Sequence, residues 1–196
     1  MIKKLAGVMA SYFAEKEVYP AEKKRIYAYG FELLIATFAN VLGILAIALI
    51  MDILPGAILF FLAFIPLRLS AGGYHAKHHW SCFLIANIVF LLFAVALNYM
   101  HNIYVMPYIV FSCMASSILI WIFSPVEAEN KPVGQKQKDR LRKHSIIIAI
   151  INMAVTLIYI FIPQLRIIYL EYYMSGALAA SASLAVAVLS TKSKSL

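Results

Sequence analysis

Between Arg68 and Cys82 the chain reads RLSAGGYHAKHHWSC, a polar stretch in an otherwise apolar sequence, and its residue types suit thiol chemistry. Cys82 is a candidate nucleophile. It follows Ser81, a good N-cap residue, and opens a long apolar run, so the sequence predicts its sulfur at a helix N-terminus, where the macrodipole favours negative charge. Lipid around a thiol opposes ionisation, so a base is needed. His75 is the candidate base: were the intervening chain helical, the seven-residue spacing would make nearly two turns and bring both side chains to one face.

Other chemistry fits the same letters. Free cysteines are often simply buried small residues, which would leave His75, His78 and His79 as polar residues at the membrane border. His75, His79 and Cys82 also stand at i, i+4 and i+7, with His78 beside them, a donor set that suits zinc. Gly72 and Gly73 allow positive φ and close backbone approach, which serves either an oxyanion site built from N–H groups or a plain turn. Arg68 can bind a carboxylate bidentately or anchor the chain at the interface, and Lys77 reads as such an anchor. Cys113 lies in mid-span among Ser112, Met114 and Ala115, with no histidine nearby, and reads as packing.

These residues need elements to position them, and composition says which. The chain has 196 residues, 63% of them hydrophobic and 13% charged, with a mean hydropathy of +0.85. Such a balance excludes an ordinary soluble domain. Apolar runs at roughly 29–51, 53–67, 82–99, 105–123, 146–162 and 167–190 predict an all-α polytopic membrane protein with six transmembrane helices. The alternating ten-residue strands of a barrel do not occur. Residues 2 to 13 place Ile2, Leu5, Met9, Tyr12 and Phe13 at helical spacing, which predicts an amphipathic interfacial helix before the first span. The first twenty residues are charged throughout, so no cleaved signal peptide is expected. The second run is the shortest: Pro55 to Pro66 would rise only about 15 to 20 Å as a helix, so it is expected to thin the bilayer, tilt little or re-enter.

The chain thus reads as one membrane domain, 1–196, with an N-terminal segment 1–28, a candidate catalytic segment 68–82 and a basic loop 124–145. Six spans put both termini on one side. Sixteen of the 17 lysines and arginines fall on that side, and only Arg166 falls on the other. The positive-inside rule makes that side cytoplasmic and explains the net charge of +8 without nucleic acid. Segment 68–82 and loop 124–145 then face the same compartment.

Arg68, Gly73, His75 and Cys82, separated by four, one and six residues, resemble the signature of the accessory gene regulator B family of membrane peptidases. SPVEAENKPV at 124–133 is similar to the family's proline-containing polar loop. The resemblance implies a multi-pass protein of the bacterial cell membrane in which Cys82 is the nucleophile and His75 its base. It implies a cysteine endopeptidase that removes the C-terminal tail of a quorum-sensing propeptide. An acyl-enzyme thioester then allows cyclisation to a thiolactone. The partners implied are a propeptide with an amphipathic leader and an acidic tail, and membrane lipid; a homodimer is compatible, and no cofactor, resident metal or nucleic acid is called for. Arg68, Gly72 and Gly73, with Lys136, Lys138 and Arg140 of the basic loop, are the substrate-binding or oxyanion candidates. The rival from another class is a proton or metal transporter lined by the histidines.

Overall fold

The computed structural model of the chain describes residues 2–16, 18, 20–74, 79–100, 102–126, 134–162 and 169–192. Among these residues all regular structure is helical. In chain order the helices are α1 (Ile2–Glu15), α2 (Lys24–Ile50), α3 (Leu54–Ala71), α4 (His79–Asn98), α5 (Asn102–Phe123), α6 (Gln135–Phe161) and α7 (Leu170–Lys192), with a single 3-10 turn at Ala21–Lys23 before α2. The last six are long and apolar enough to cross a membrane, as the hydropathy pattern predicts. Large apolar side chains such as Leu62, Leu92, Phe111, Trp121 and Leu189 point outward, where a bilayer rather than water would cover them.

α1 is an apolar helix packed along α2. Its small residues Ala6 and Ala10 are buried, and Phe13 stacks on Phe31 with ring centroids 5.5 Å apart. The residues expected to share one face are therefore divided: Phe13 turns to α2, while Leu5 and Tyr12 stay exposed.

Two element boundaries differ from the sequence expectation. α3 does not stop at Pro66 but runs on to Ala71, and 18 residues rise about 27 Å, close to the roughly 30 Å of a hydrocarbon core. Proline removes one backbone donor, a loss that membrane helices tolerate where neighbouring helices and Ser or Thr side chains help satisfy the backbone. The carbonyl that loses its donor is that of Leu62, and one turn further on Ser70 Oγ donates to the Pro66 carbonyl at 2.8 Å. The basic loop is also shorter than expected. From Gln135 onward it is the start of α6, whose 27 residues reach about 40 Å and so carry Lys136, Lys138 and Arg140 on helical turns beyond the apolar span.

α7 is the centre of the bundle and packs most extensively on α3 and α5. Its sequence permits this, because Ser175, Gly176, Ala177, Ala180 and Ser181 are small and buried, and small residues let membrane helices approach closely. A methyl group on Gly176 would collide with the Phe60 carbonyl of α3. α2 and α4 cover one flank through Ile44, Ala48, Phe90 and Ala94. On the other flank, polar contacts tie α5 and α6 to α7: Tyr108 Oη lies 2.5 Å from Ser175 Oγ, and Tyr173 Oη donates to Asn152 Oδ1 at 2.7 Å. Inside a membrane the alternative to such bonds is an unpaired polar group, so they favour one register.

The contacts also order the ends. Phe60 meets Gly176 and Arg68 meets Ser183, so α3 and α7 run parallel. Their C-terminal ends share one face with the start of α6. Main-chain bonds tie the end of α3 to its neighbours there: Val126 N–H, in the segment after α5, donates to the Ala71 carbonyl at 2.9 Å, and Tyr74 N–H donates to the Ser183 carbonyl of α7 at 3.0 Å. The two polar elements expected on one side of the bilayer are thus neighbours.

Candidate active site

The C-terminal end of α3 closes with Gly72 at φ +82° and Gly73 at φ +135°. Both glycines are required. L side chains rarely adopt these angles, and space is lacking as well: a Cβ on Gly72 would strike the Val126 carbonyl oxygen, and one on Gly73 would overlap Arg68 Nη1 and Ser183 Oγ. The turn 72–74 is therefore threaded between α7 and the segment that follows α5.

Arg68, in the last turn of α3, reaches over this turn. Its Nη1 donates to the Gly72 carbonyl at 3.1 Å and to Ser183 Oγ at 3.0 Å, and its Nη2 donates to the Tyr74 carbonyl. Guanidinium, with its rigid fork of donors, can close three acceptors at once in a way that an ammonium cannot. A part-buried cation at a membrane boundary is costly, and here carbonyl dipoles compensate it. Both hydrogens of Nη1 are directed to the protein itself, so a substrate carboxylate would have to share this guanidinium with the turn. Ser183 Oγ passes its own hydrogen to the Ala180 carbonyl at 2.6 Å, which aims a lone pair at Arg68.

Cys82 is a free thiol of intermediate exposure. It is the fourth described residue of α4, and since His79 and Trp80 are already helical, Ser81 lies inside the helix and is not its cap. Cys82 is nevertheless in the first described turn of α4, and the N-terminal end of a helix is where unpaired N–H groups concentrate. Arg68 lies within Coulombic reach of it. Cys113 is different: it is 4% exposed and packed with Ile109, Leu170 and Met174.

His75, Lys77 and His78 lie outside the described residues, as does the side chain of His79. The helix on which the i, i+4, i+7 donor spacing depends is described only from His79, and Gly72 to Tyr74 is not helical. The stretch His75 to His78, on whose helical phase with Cys82 the dyad and zinc spacings drew, lies outside the described residues. Lys136 and Arg140 are exposed on the first turns of α6 and Lys138 is partly covered, while Glu127, Glu129 and Lys131 fall outside the described residues.

Sequence reasoning missed Ser183. It sits 115 residues from Arg68 in a tract of alanines and serines that reads as helix packing, and nothing local marks it.

The profile of the family described as accessory gene regulator B matches residues 3–189, nearly the whole chain. The chain belongs to that family. It is 28% identical over 185 residues to AgrB-like protein 2 of Clostridium perfringens strain 13, covering 90% of this chain and 81% of that one. Another AgrB-like protein, from C. perfringens strain SM101, is 27% identical over 195 residues, covering 95% and 86%. No solved structure matches. Membership puts this multi-pass membrane protein in accessory gene regulator quorum-sensing processing and agrees with the role of a processing enzyme.

Proposed function

We propose that the chain is a membrane cysteine endopeptidase that cuts a quorum-sensing propeptide and leaves its N-terminal part as a thioester able to cyclise. The carrying observation is Cys82, a free, part-exposed thiol in the first described turn of a membrane helix and within Coulombic reach of Arg68, which clasps the Gly72–Tyr74 turn. His75, which directly follows that turn in sequence, is the base. Cys82 sulfur adds to the carbonyl carbon at the tail junction, the C–N bond breaks, and the proton taken from the thiol goes to the departing amine. A cysteine of the substrate then gives its proton to the base and attacks the thioester carbonyl. A new C–S bond forms, the bond to Cys82 breaks, and the thiolactone leaves. One thioester replaces another, so this step needs no ATP. Water is the competitor, and a site at the membrane edge limits it.

The test is intact-mass measurement of the full chain mixed with a propeptide carrying an amphipathic leader, a central cysteine and an acidic tail. A tail-free acyl adduct on Cys82, removed by hydroxylamine, is the expected result. Tail release that proceeds at the same rate after complete alkylation of Cys82 would overturn the proposal.

The positive-inside rule makes the basic end of α6 cytoplasmic, on the face where the Arg68 turn lies. We assign Lys136, Lys138 and Arg140 the task of drawing the acidic tail toward that face. Attraction between exposed charges fades over about 8 to 10 Å at physiological salt. Neutralising the three together should raise KM several-fold with little change in kcat, and should flatten the salt dependence of cleavage. An unchanged salt slope would leave these residues as lipid anchors only.

A further inference from the structure

Ser183, at this end of the bundle, has no part in the reaction above. It contributes two contacts to the same turn, one from each of its polar groups. Its carbonyl takes the Tyr74 N–H at 3.0 Å, and its hydroxyl oxygen takes an Arg68 hydrogen at 3.0 Å while donating to Ala180. α7 is the most buried span of the bundle, so a contact to it ties the turn to the least movable part of the fold. The crowding above Gly73 shows how close the fit is, since Ser183 Oγ and Arg68 Nη1 fill the space a Cβ would take.

We propose that Ser183 is a positioning residue: it holds the Arg68 guanidinium and the Gly72–Tyr74 turn in register with Cys82. The proposal rests on the peptidase reading. Ser183 touches neither substrate nor sulfur and acts through Arg68. Without its hydroxyl, Arg68 retains the two carbonyl bonds within its own turn but loses the side-chain bond to α7, so the guanidinium and turn can drift together. Loss of alignment by about 1 Å in an active site costs up to about 100-fold in rate. One lost hydrogen bond of a clasp that keeps three others should cost less.

The experiment uses the full-length protein in nanodiscs and the same propeptide, with rates expressed per folded protein in the monodisperse fraction. Ser183→Ala should lower kcat for tail release about tenfold and leave KM within about twofold, because alignment and not binding is lost. Ser183→Thr should restore most of the rate, since threonine in a helix can keep its hydroxyl bonded to a carbonyl of the preceding turn. Alkylation of Cys82 by iodoacetamide, in a Cys113→Ala background, should slow in the alanine variant and recover in the threonine variant. A kcat unchanged in Ser183→Ala, a loss confined to KM, or equal loss in both variants would overturn the proposal. Cys82→Ala separates the two readings: cleavage that survives it overturns the peptidase and the positioning role with it. A silent Ser183→Ala in an enzyme that Cys82→Ala inactivates overturns the positioning role alone.

Discussion

Cys82→Ala should abolish propeptide cleavage, by more than about a thousandfold, and with it any acyl adduct, whereas Cys113→Ala should leave cleavage within about twofold. The two cysteines make this an internal comparison. Cys82 lies in the first described turn of α4 and is partly exposed, and Cys113 is shut between α5 and α7 beneath Ile109, Leu170 and Met174. Truncating the buried one removes a single sulfur from a packed site, with an expected cost of about 1 kcal/mol in stability and no route to the chemistry. Truncating the other removes the atom that forms the covalent bond. Cys82→Ser adds a shape-preserving control, because a hydroxyl in the same place is a far weaker nucleophile without a strong base. Tail release measured by chromatography and adduct formation measured by mass spectrometry should fall together. Cleavage of similar speed in Cys82→Ala and wild type would sink the assignment.

The spans were legible because lipid demands a long apolar run for each, and six such runs became six helices. Their ends were less so. Hydropathy reports where the bilayer ends, and a helix need not stop there: α6 continues into the charged stretch that reads as loop, and α3 passes a proline that would break a helix in water. The candidate site was visible as a set of residue types, since an arginine and three histidines beside a cysteine at a membrane edge make an ionisable cluster that is expensive to keep. Their arrangement was not. Placing His75 and Cys82 on one face rests on unbroken helix between them, and residues 75 to 78 lie outside those described. The partner of Arg68 was beyond reach for a different reason. Ser183 meets it through the packing of α7 on α3, a contact between helices far apart in sequence, and a serine among alanines announces nothing.

Gly73→Ala should be nearly as damaging as loss of the nucleophile, lowering cleavage by about 100-fold or more. Two separate penalties coincide at this residue. Its φ of +135° lies where a side chain costs about 1 to 3 kcal/mol of backbone strain, and its Cβ would occupy the space of Arg68 Nη1 and Ser183 Oγ. The chain can relieve strain only by turning the peptide, and relieve the overlap only by expelling the guanidinium; each movement breaks the contacts that fix the turn. Gly134→Ala provides the contrast, because Gly134 caps α6 at φ −61° with open space where the Cβ would go. It should leave cleavage within about twofold. Because Gly73 lies in the turn beyond the end of α3 and not within a span, Gly73→Ala should still elute as a monodisperse, helical protein, so the loss would be one of turnover. Adding Ser183→Ala to Gly73→Ala should then cost little more, since residues serving one contact are not additive. Full additivity, measured as kcat for tail release in the single and double variants, would mean that the glycine and the serine serve different ends, and an active Gly73→Ala would mean that the turn is not what aligns the site.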